Sequence, residues 1–240
     1  MTELNISEQW LCTYPTLALR KEPNHRSEMT TQLLYGDVFS ILEIIDDWCL
    51  IEIEYDQYIG WLDKKLFYGE LIKINDSIRF SYVNSQPIFY EGKLIPAGSF
   101  VKEKSDEFIK HFSRTDIYDV VLVAKSYLDS PYLWGGKTHW GIDCSGFVQQ
   151  VFKICGVKIP RDAYQQADLG INIKFGEHKN GDLAFFGEKE KITHVGLLVD
   201  EHDIIHAHGL VRIDGLTEKG IINKKIKQKT HSLMHIKRIL

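Results

Sequence analysis

From Leu17 to about Phe67 apolar and polar positions alternate with a period of two. Val38, Ser40, Leu42 and Ile44 interleave with Phe39, Ile41, Glu43 and Ile45, Asp46-Asp47 interrupts the run, and Leu50 to Glu54 resumes it. Short alternating runs bounded by polar turns predict the strands of a small β-barrel. Past Phe100 the spacing lengthens. Ser113, Thr115 and Asp116 are candidate N-caps for a helix through Val120, Val121, Ala124 and Leu128, ended near Ser130 by Pro131. Phe147, Val148, Val151, Phe152 and Cys155 form one apolar stripe at helical spacing, with Gly156 as the C-cap. After Asn180-Gly181 come short β runs, LAFF, HVGLLV, IIHAH and LMHIKRIL. Helices first and strands afterwards predict an α+β domain with helices packed on an antiparallel sheet.

Composition narrows the function classes. The 240 residues are 44% hydrophobic, and 29 Lys and Arg face 33 Asp and Glu, so no basic field exists to attract a phosphate backbone. Nucleic acid is excluded as an expected partner. The four cysteines (Cys12, Cys49, Cys144, Cys155) form no CxxC pair, and reduced thiols are expected. The first twenty residues lack a basic n-region and a long apolar stretch, and no segment is long and apolar enough to insert in a bilayer. A soluble, cytoplasmic protein is the expectation.

The chemistry concentrates at DCSG. If the stripe from Phe147 is helical, Asp143 to Ser145 occupy its first turn, where unpaired N–H groups and the helix dipole stabilise a thiolate and an oxyanion. Cys144 is therefore a candidate nucleophile with a lowered pKa, against the alternative that it is a small buried hydrophobe. A base is offered by THVGLLVDEHDIIHAH. A three-residue loop Asp200 to His202 would place His206 opposite Gly196, diagonal to His194 and on its face, whereas a two-residue turn would separate the two rings. Zinc held by His202, His206 and His208 is the competing reading of the same histidines.

PYLWGGKTHWGIDCSGFVQQVF, IPRDAYQQ, NGDLAFF, THVGLLV and IIHAH, in that order, resemble the successive motifs of the NlpC/P60 cysteine peptidases, a papain-like fold. LALRKEPN, LLYGDVFSILE, DDWCLIEI and QYIGWL resemble a bacterial SH3-like domain. The expected organisation is an SH3-like β-barrel region over residues 1–105, clear over 10–68 and with 75–105 open to reading as a partial second copy. A papain-like catalytic domain over 106–240 follows. The resemblance implies Cys144 as nucleophile, His194 as base, His206 as the orienting residue, Tyr132 as an active-site tyrosine aiding the oxyanion, and no metal or organic cofactor.

The pairing of these two domains is similar to that of the γ-D-glutamyl-L-diamino acid endopeptidases of murein recycling. These cleave peptidoglycan-derived peptides that carry a free N-terminal L-Ala, with the SH3-like domain capping one end of the cleft. On that resemblance Asp143, Ser145, Glu28 and Tyr58 are the residues expected to bind substrate. The sequence departs from the family at Ala163, where a serine is common. An amidase or acyltransferase on the same thiol fold, or a non-catalytic wall-peptide-binding module, are the alternative functions.

Overall fold

The computed structural model describes residues 4–69, 71–74, 82–102 and 117–240, which cluster into two compact units. One comprises residues 1–110 with Trp134–Gly136, and the other 111–133 with 137–240. The expected N-caps Ser113, Thr115 and Asp116 lie outside the described residues.

In the first unit β1 (Gln9–Leu11), β2 (Thr16–Arg20), β3 (Met29–Leu34), β4 (Val38–Ile45), β5 (Trp48–Ile53), β6 (Ile59–Asp63) and β7 (Ile72–Lys73) form one antiparallel sheet in the order β3-β2-β6-β5-β4-β1-β7. The period of two turns Phe39, Ile41, Ile51 and Ile53 inward, where they meet Trp10, Leu19 and Leu62 in a fully buried core. Trp10 packs edge-on against Phe67 with ring centroids 5.1 Å apart. Ile45 pairs with Trp48 across the Asp46-Asp47 turn. Gly36, at a φ of 82°, and Asp37, whose carboxylate accepts the Leu34 N–H at 2.8 Å, turn β3 into β4.

Residues 82–102 carry β8 (Tyr82–Val83), β9 (Ile88–Tyr90), β10 (Lys93–Ile95) and β11 (Phe100–Val101), which form two ladders of two strands, β9 with β10 and β8 with β11. Glu91 and Gly92 both have positive φ, the backbone of a tight two-residue hairpin turn. Residues 75–81 and 103–105 of the expected second copy lie outside the described residues.

The second unit begins with α1 (Ile117–Ser126), which ends before Leu128 because Tyr127 and Leu128 tighten onto Ala124 and Lys125 and Asp129 takes a positive φ. Then follow β12 (Lys137–Thr138), β13 (Gly141–Ile142), α2 (Cys144–Ile154), α3 (Ala163–Gln166), β14 (Ile171–Ile173), β15 (Leu183–Glu188), β16 (Lys191–Leu198), β17 (Asp203–His208), β18 (Leu210–Thr217), β19 (Gly220–Ile222) and β20 (Lys229–Arg238). The large sheet runs β14-β20-β15-β16-β17-β18-β19, and a further pairing of β19 with β20 closes six strands on themselves. This is the α+β arrangement expected from the pattern, with helices packed on an antiparallel sheet, and it agrees with the papain-like fold that the resemblance implies.

The predicted stripe of α2 is buried, but so is every other residue of the helix, because α1, α3, β12, β16 and β17 surround it. Its end is closed by a Schellman motif, in which Val157 N–H bonds Phe152 C=O at 2.8 Å and Gly156 N–H bonds Lys153 C=O at 3.0 Å. Gly156 has the required φ of 77°.

The β16–β17 register pairs Leu197 with Ile205 and Leu198 with Ile204, and Val199 N–H bonds Asp203 C=O at 3.0 Å, leaving the three-residue loop Asp200 to His202. One step further, the same register sets His206 against Gly196. A Cβ at position 196 would stand 2.9 Å from that of His206 and 2.7 Å from Ile204 Cδ1. Gly196→Ala is therefore expected to destabilise the protein by about 1–3 kcal/mol, the scale of overpacking in a close-packed interior. Urea denaturation measures it, and an unchanged midpoint would contradict the packing.

Candidate active site

Cys144 occupies the first position of α2 because Asp143 caps the helix. The Asp143 carboxylate accepts the Gly146 N–H at 2.6 Å. Arg161, itself buried, grips the same carboxylate with two N–H groups at 3.0 and 2.6 Å and reaches Ser145 Oγ at 2.9 Å. This bidentate pair fixes the residues on either side of the cysteine. Arg161 appeared in the sequence only as part of a motif. Its role became visible once the fold carried it back across eighteen residues to Asp143.

The sulfur faces β16. The backbone N–H groups of Val195, the neighbour of His194, and of Ser145 lie near enough to it to favour its charged form. Tyr132, half-buried and tied by its N–H to Gly209 C=O at 3.0 Å, stands close enough that the charge on Cys144 is felt at its hydroxyl, whose pKa burial raises well above the usual range. The lowered thiol pKa expected from the helix end is not found. Burial, seconded by the Asp143 charge, pushes the Cys144 thiol up to about 12, and the two N–H groups and Arg161 oppose this only in part. The cysteine is buried, at 7% exposure, so the desolvation of a thiolate outweighs the helix end in the free protein.

His194 and His206 are brought together, with His194 Nε2 and His206 Nδ1 2.8 Å apart. A third group, missed in the sequence, completes the chain: His206 Nε2 lies 3.2 Å from Asp214 Oδ2. Asp214 also accepts from Arg212 Nε at 2.8 Å and from the Lys224 N–H at 3.0 Å, and these donors together with His206 hold its pKa well below the usual carboxylate range against the effect of burial. β18 pairs His206 with Arg212, so Asp214, two residues on, shares their face. The alternation in VRID was the available signal.

These contacts assign the protons. An ionised Asp214 only accepts, so His206 Nε2 carries hydrogen and its Nδ1, in a neutral ring, accepts from His194 Nε2–H. Burial lowers the pKa of both rings, His194 most strongly, with the neighbouring imidazoles adding to the shift. The unprotonated atom of His194 is therefore Nδ1, a free base.

Of the remaining expected residues, Glu28 and Tyr58 belong to the first unit. Glu28 pairs with Lys21 at 3.6 Å and accepts the indole N–H of Trp134 at 2.6 Å. Tyr58 is half-buried against the hydrophobic core of that unit. The zinc set His202, His206 and His208 is not the one assembled. His202 is exposed in the β16–β17 loop, and the histidine donors that converge among the described residues are those of His194, His206 and His231. None of the four cysteines forms a disulfide. No helix of the described residues is long and apolar enough to cross a membrane.

A buried thiol at a helix start, set against an imidazole–imidazole–carboxylate chain on a closed antiparallel sheet, defines the class as a papain-like thiol domain. Residues 129–231 match the NlpC/P60 family and residues 19–65 match the bacterial dipeptidyl-peptidase Sh3 domain, so the chain carries an NlpC/P60 domain preceded by a bacterial SH3 domain. Among similar proteins is the gamma-D-glutamyl-L-lysine dipeptidyl-peptidase of Bacillus subtilis (strain 168). It is 42% identical over 92 residues, 37% of this chain but only 31% of that protein. The Bacillus cereus protein of the same name is 25% identical over 75% of this chain and 68% of its own length. A crystal structure of an NlpC/P60 family protein from Bacillus cereus shares the fold, with a TM-score of 0.79 at 18% identity, covering 97% of this chain and 99% of that one.

Two measurements check the electrostatics. Because Cys144 is held protonated, its alkylation rate is expected to climb steadily with pH above neutrality, and a plateau from pH 6 would instead mark a standing thiolate–imidazolium pair. The histidines 139, 194, 206 and 231 all have folded pKa values below the unfolded value of about 6.5, with His139 and His231 at about 4. Below pH 6.5 the unfolded chain thus binds more protons, and stability falls as pH drops from about 6.5 toward 4. The depressed Asp214 adds a further loss only below its unfolded value of 3.8. Urea midpoints at pH 7.5 and 5 test this, and a higher midpoint at pH 5 would refute it.

Proposed function

We propose that the protein is a cysteine endopeptidase that hydrolyses the γ-D-Glu–diamino acid bond of peptidoglycan-derived peptides with a free N-terminal L-Ala, serving cell-wall peptide recycling in the cytoplasm. The observation that carries the reading is the unbroken hydrogen-bonded chain from Asp214 through His206 to His194, with the Cys144 sulfur near the backbone N–H of Val195, the next residue of the same strand. The names of the two Bacillus relatives support the bond cleaved.

In the proposed reaction the Cys144 thiol proton passes to His194 Nδ1 as the sulfur bonds the γ-carbonyl carbon, so neither group needs to be charged beforehand. Tyr132 and the backbone N–H groups at the start of α2 stabilise the oxyanion. Collapse breaks the C–N bond and His194 delivers its proton to the leaving amine. Water, deprotonated by the same nitrogen, then opens the thioester, releasing the γ-carboxyl and restoring the thiol. His206 and Asp214 keep the imidazole in the tautomer that exposes Nδ1 and disperse the charge it acquires. Tyr132, Asp143, Ser145, Glu28 and Tyr58 are the groups proposed to bind the substrate, a carboxylate near a free ammonium favouring the unblocked peptide.

Mass spectrometry of L-Ala-γ-D-Glu-L-Lys and its N-acetyl form, after incubation with the protein, tests the proposal. Cleavage of the free peptide alone, abolished by Cys144→Ala, is expected; an uncut free peptide or an active Cys144→Ala protein would reject it. Asp214→Asn is expected to lower kcat by roughly 10²–10⁴-fold, the range for losing a positioned general base, with KM little changed.

A further inference from the structure

The catalytic chain uses two of the histidines gathered at the site and leaves one without a task. We propose that His231 completes, with His194 and His206, a site for Zn²⁺, and that the bound ion switches the peptidase off. One ring nitrogen from each of the three residues lies within 4.8 Å of the other two. A tetrahedral zinc with Zn–N bonds near 2.0–2.1 Å needs nitrogens about 3.3–3.4 Å apart, so small side-chain rotations close the set.

The rings are arranged for it. His231 stacks on His194 with centroids 4.1 Å apart, and its edge meets His206 at 5.7 Å. They come from three strands, β16, β17 and β20, of one closed sheet, so the backbone holds the cluster at three points. Behind His206 stands Asp214, the carboxylate that orients a metal-binding imidazole by taking the hydrogen of its far nitrogen. His231 Nδ1 is similarly held by Thr230 Oγ1 at 2.9 Å, leaving Nε2 as its donor. His208 is exposed, and its ring lies 4.8 Å from that of His231 but 6.2–6.4 Å from those of His206 and His194, outside the three-nitrogen set.

The consequence for the reaction follows from proton bookkeeping. Zinc would occupy the lone pairs of His194 Nε2 and His206 Nδ1, the two atoms that share one hydrogen in the catalytic chain. The displaced hydrogen of His194 moves to Nδ1, the ring staying neutral. That is the nitrogen that must accept the thiol proton, so with the ion bound Cys144 has no base. No bond to the sulfur is required. The switching half of the inference rests on the proposed peptidase reading; the metal site does not.

The test uses the full chain, stripped of metal with a chelator and titrated with ZnCl₂ by calorimetry, with Co²⁺ as a spectroscopic probe. Saturable one-to-one binding is expected, with a tetrahedral Co²⁺ spectrum that lacks a thiolate charge-transfer band. His231→Phe, which keeps an aromatic ring stacked on His194, is expected to weaken Zn²⁺ binding by about 10-fold or more, since even an outer hydrogen bond acts on a scale of 10–100-fold. Cys144→Ala is expected to bind as the parent does. Failure of the parent to bind overturns the proposal, as does binding that survives His231→Phe but vanishes in Cys144→Ala. Zinc is further expected to inhibit cleavage of L-Ala-γ-D-Glu-L-Lys, with the inhibitory concentration raised in His231→Phe in step with its affinity. An equal inhibitory concentration in both overturns the switch. A metal-free protein that does not cleave the peptide would sink the peptidase reading instead, and the binding titration would still decide the metal site.

Discussion

Everything at the site hangs on the register of one antiparallel hairpin. Leu198 pairs with Ile204, and a slip of a single residue would turn His206 to the opposite face, away from His194. The three-residue loop enforces the pairing, and Gly196 makes room for the ring that the pairing delivers. The next hairpin repeats the device, pairing His206 with Arg212 so that Asp214 falls on the shared face. Two local turns thus assemble a hydrogen-bonded chain from three strands.

The second fixed point is the start of α2. Asp143 is at once helix cap and partner of the buried Arg161. Such a pair contributes little net stability once desolvation is counted, while removal of either partner would leave an uncompensated charge in the interior. What it secures is geometry: the cap determines where the helix begins, and therefore that Cys144 lies in its first turn with its sulfur toward Val195 N–H. Closing the sheet through β19 and β20 gives the opposing wall comparable rigidity and, in the same stroke, brings His231 over His194.

Burial decides the electrostatics of the assembled group. The helix end and Arg161 favour a thiolate, yet removal of the sulfur from water prevails, and the same desolvation keeps the imidazoles neutral. A neutral thiol beside a neutral base stores no charge at rest, so charge develops only when a substrate carbonyl is present to receive it. The first unit has a core of its own built on the ordinary alternation of strands, and its match to the bacterial dipeptidyl-peptidase Sh3 domain accompanies the NlpC/P60 domain as in the domain pairing that the sequence resembles.

Much of this was legible in the chain. Period-two alternation marked β4 and β5, the stripe from Phe147 marked α2, and hairpin parity placed His206 beside His194, because each depends on neighbours a few residues apart. The burial of α2 on every side, the capture of Asp143 by Arg161, the entry of Asp214 into the relay and the approach of His231 were not. Nor was the sign of the Cys144 shift. Local spacing determines which side chains share a strand face or a helix turn. Distant segments meet, and water leaves them, only when the sheet closes and the helix is enclosed, and it is that loss of water that sets which groups hold their protons.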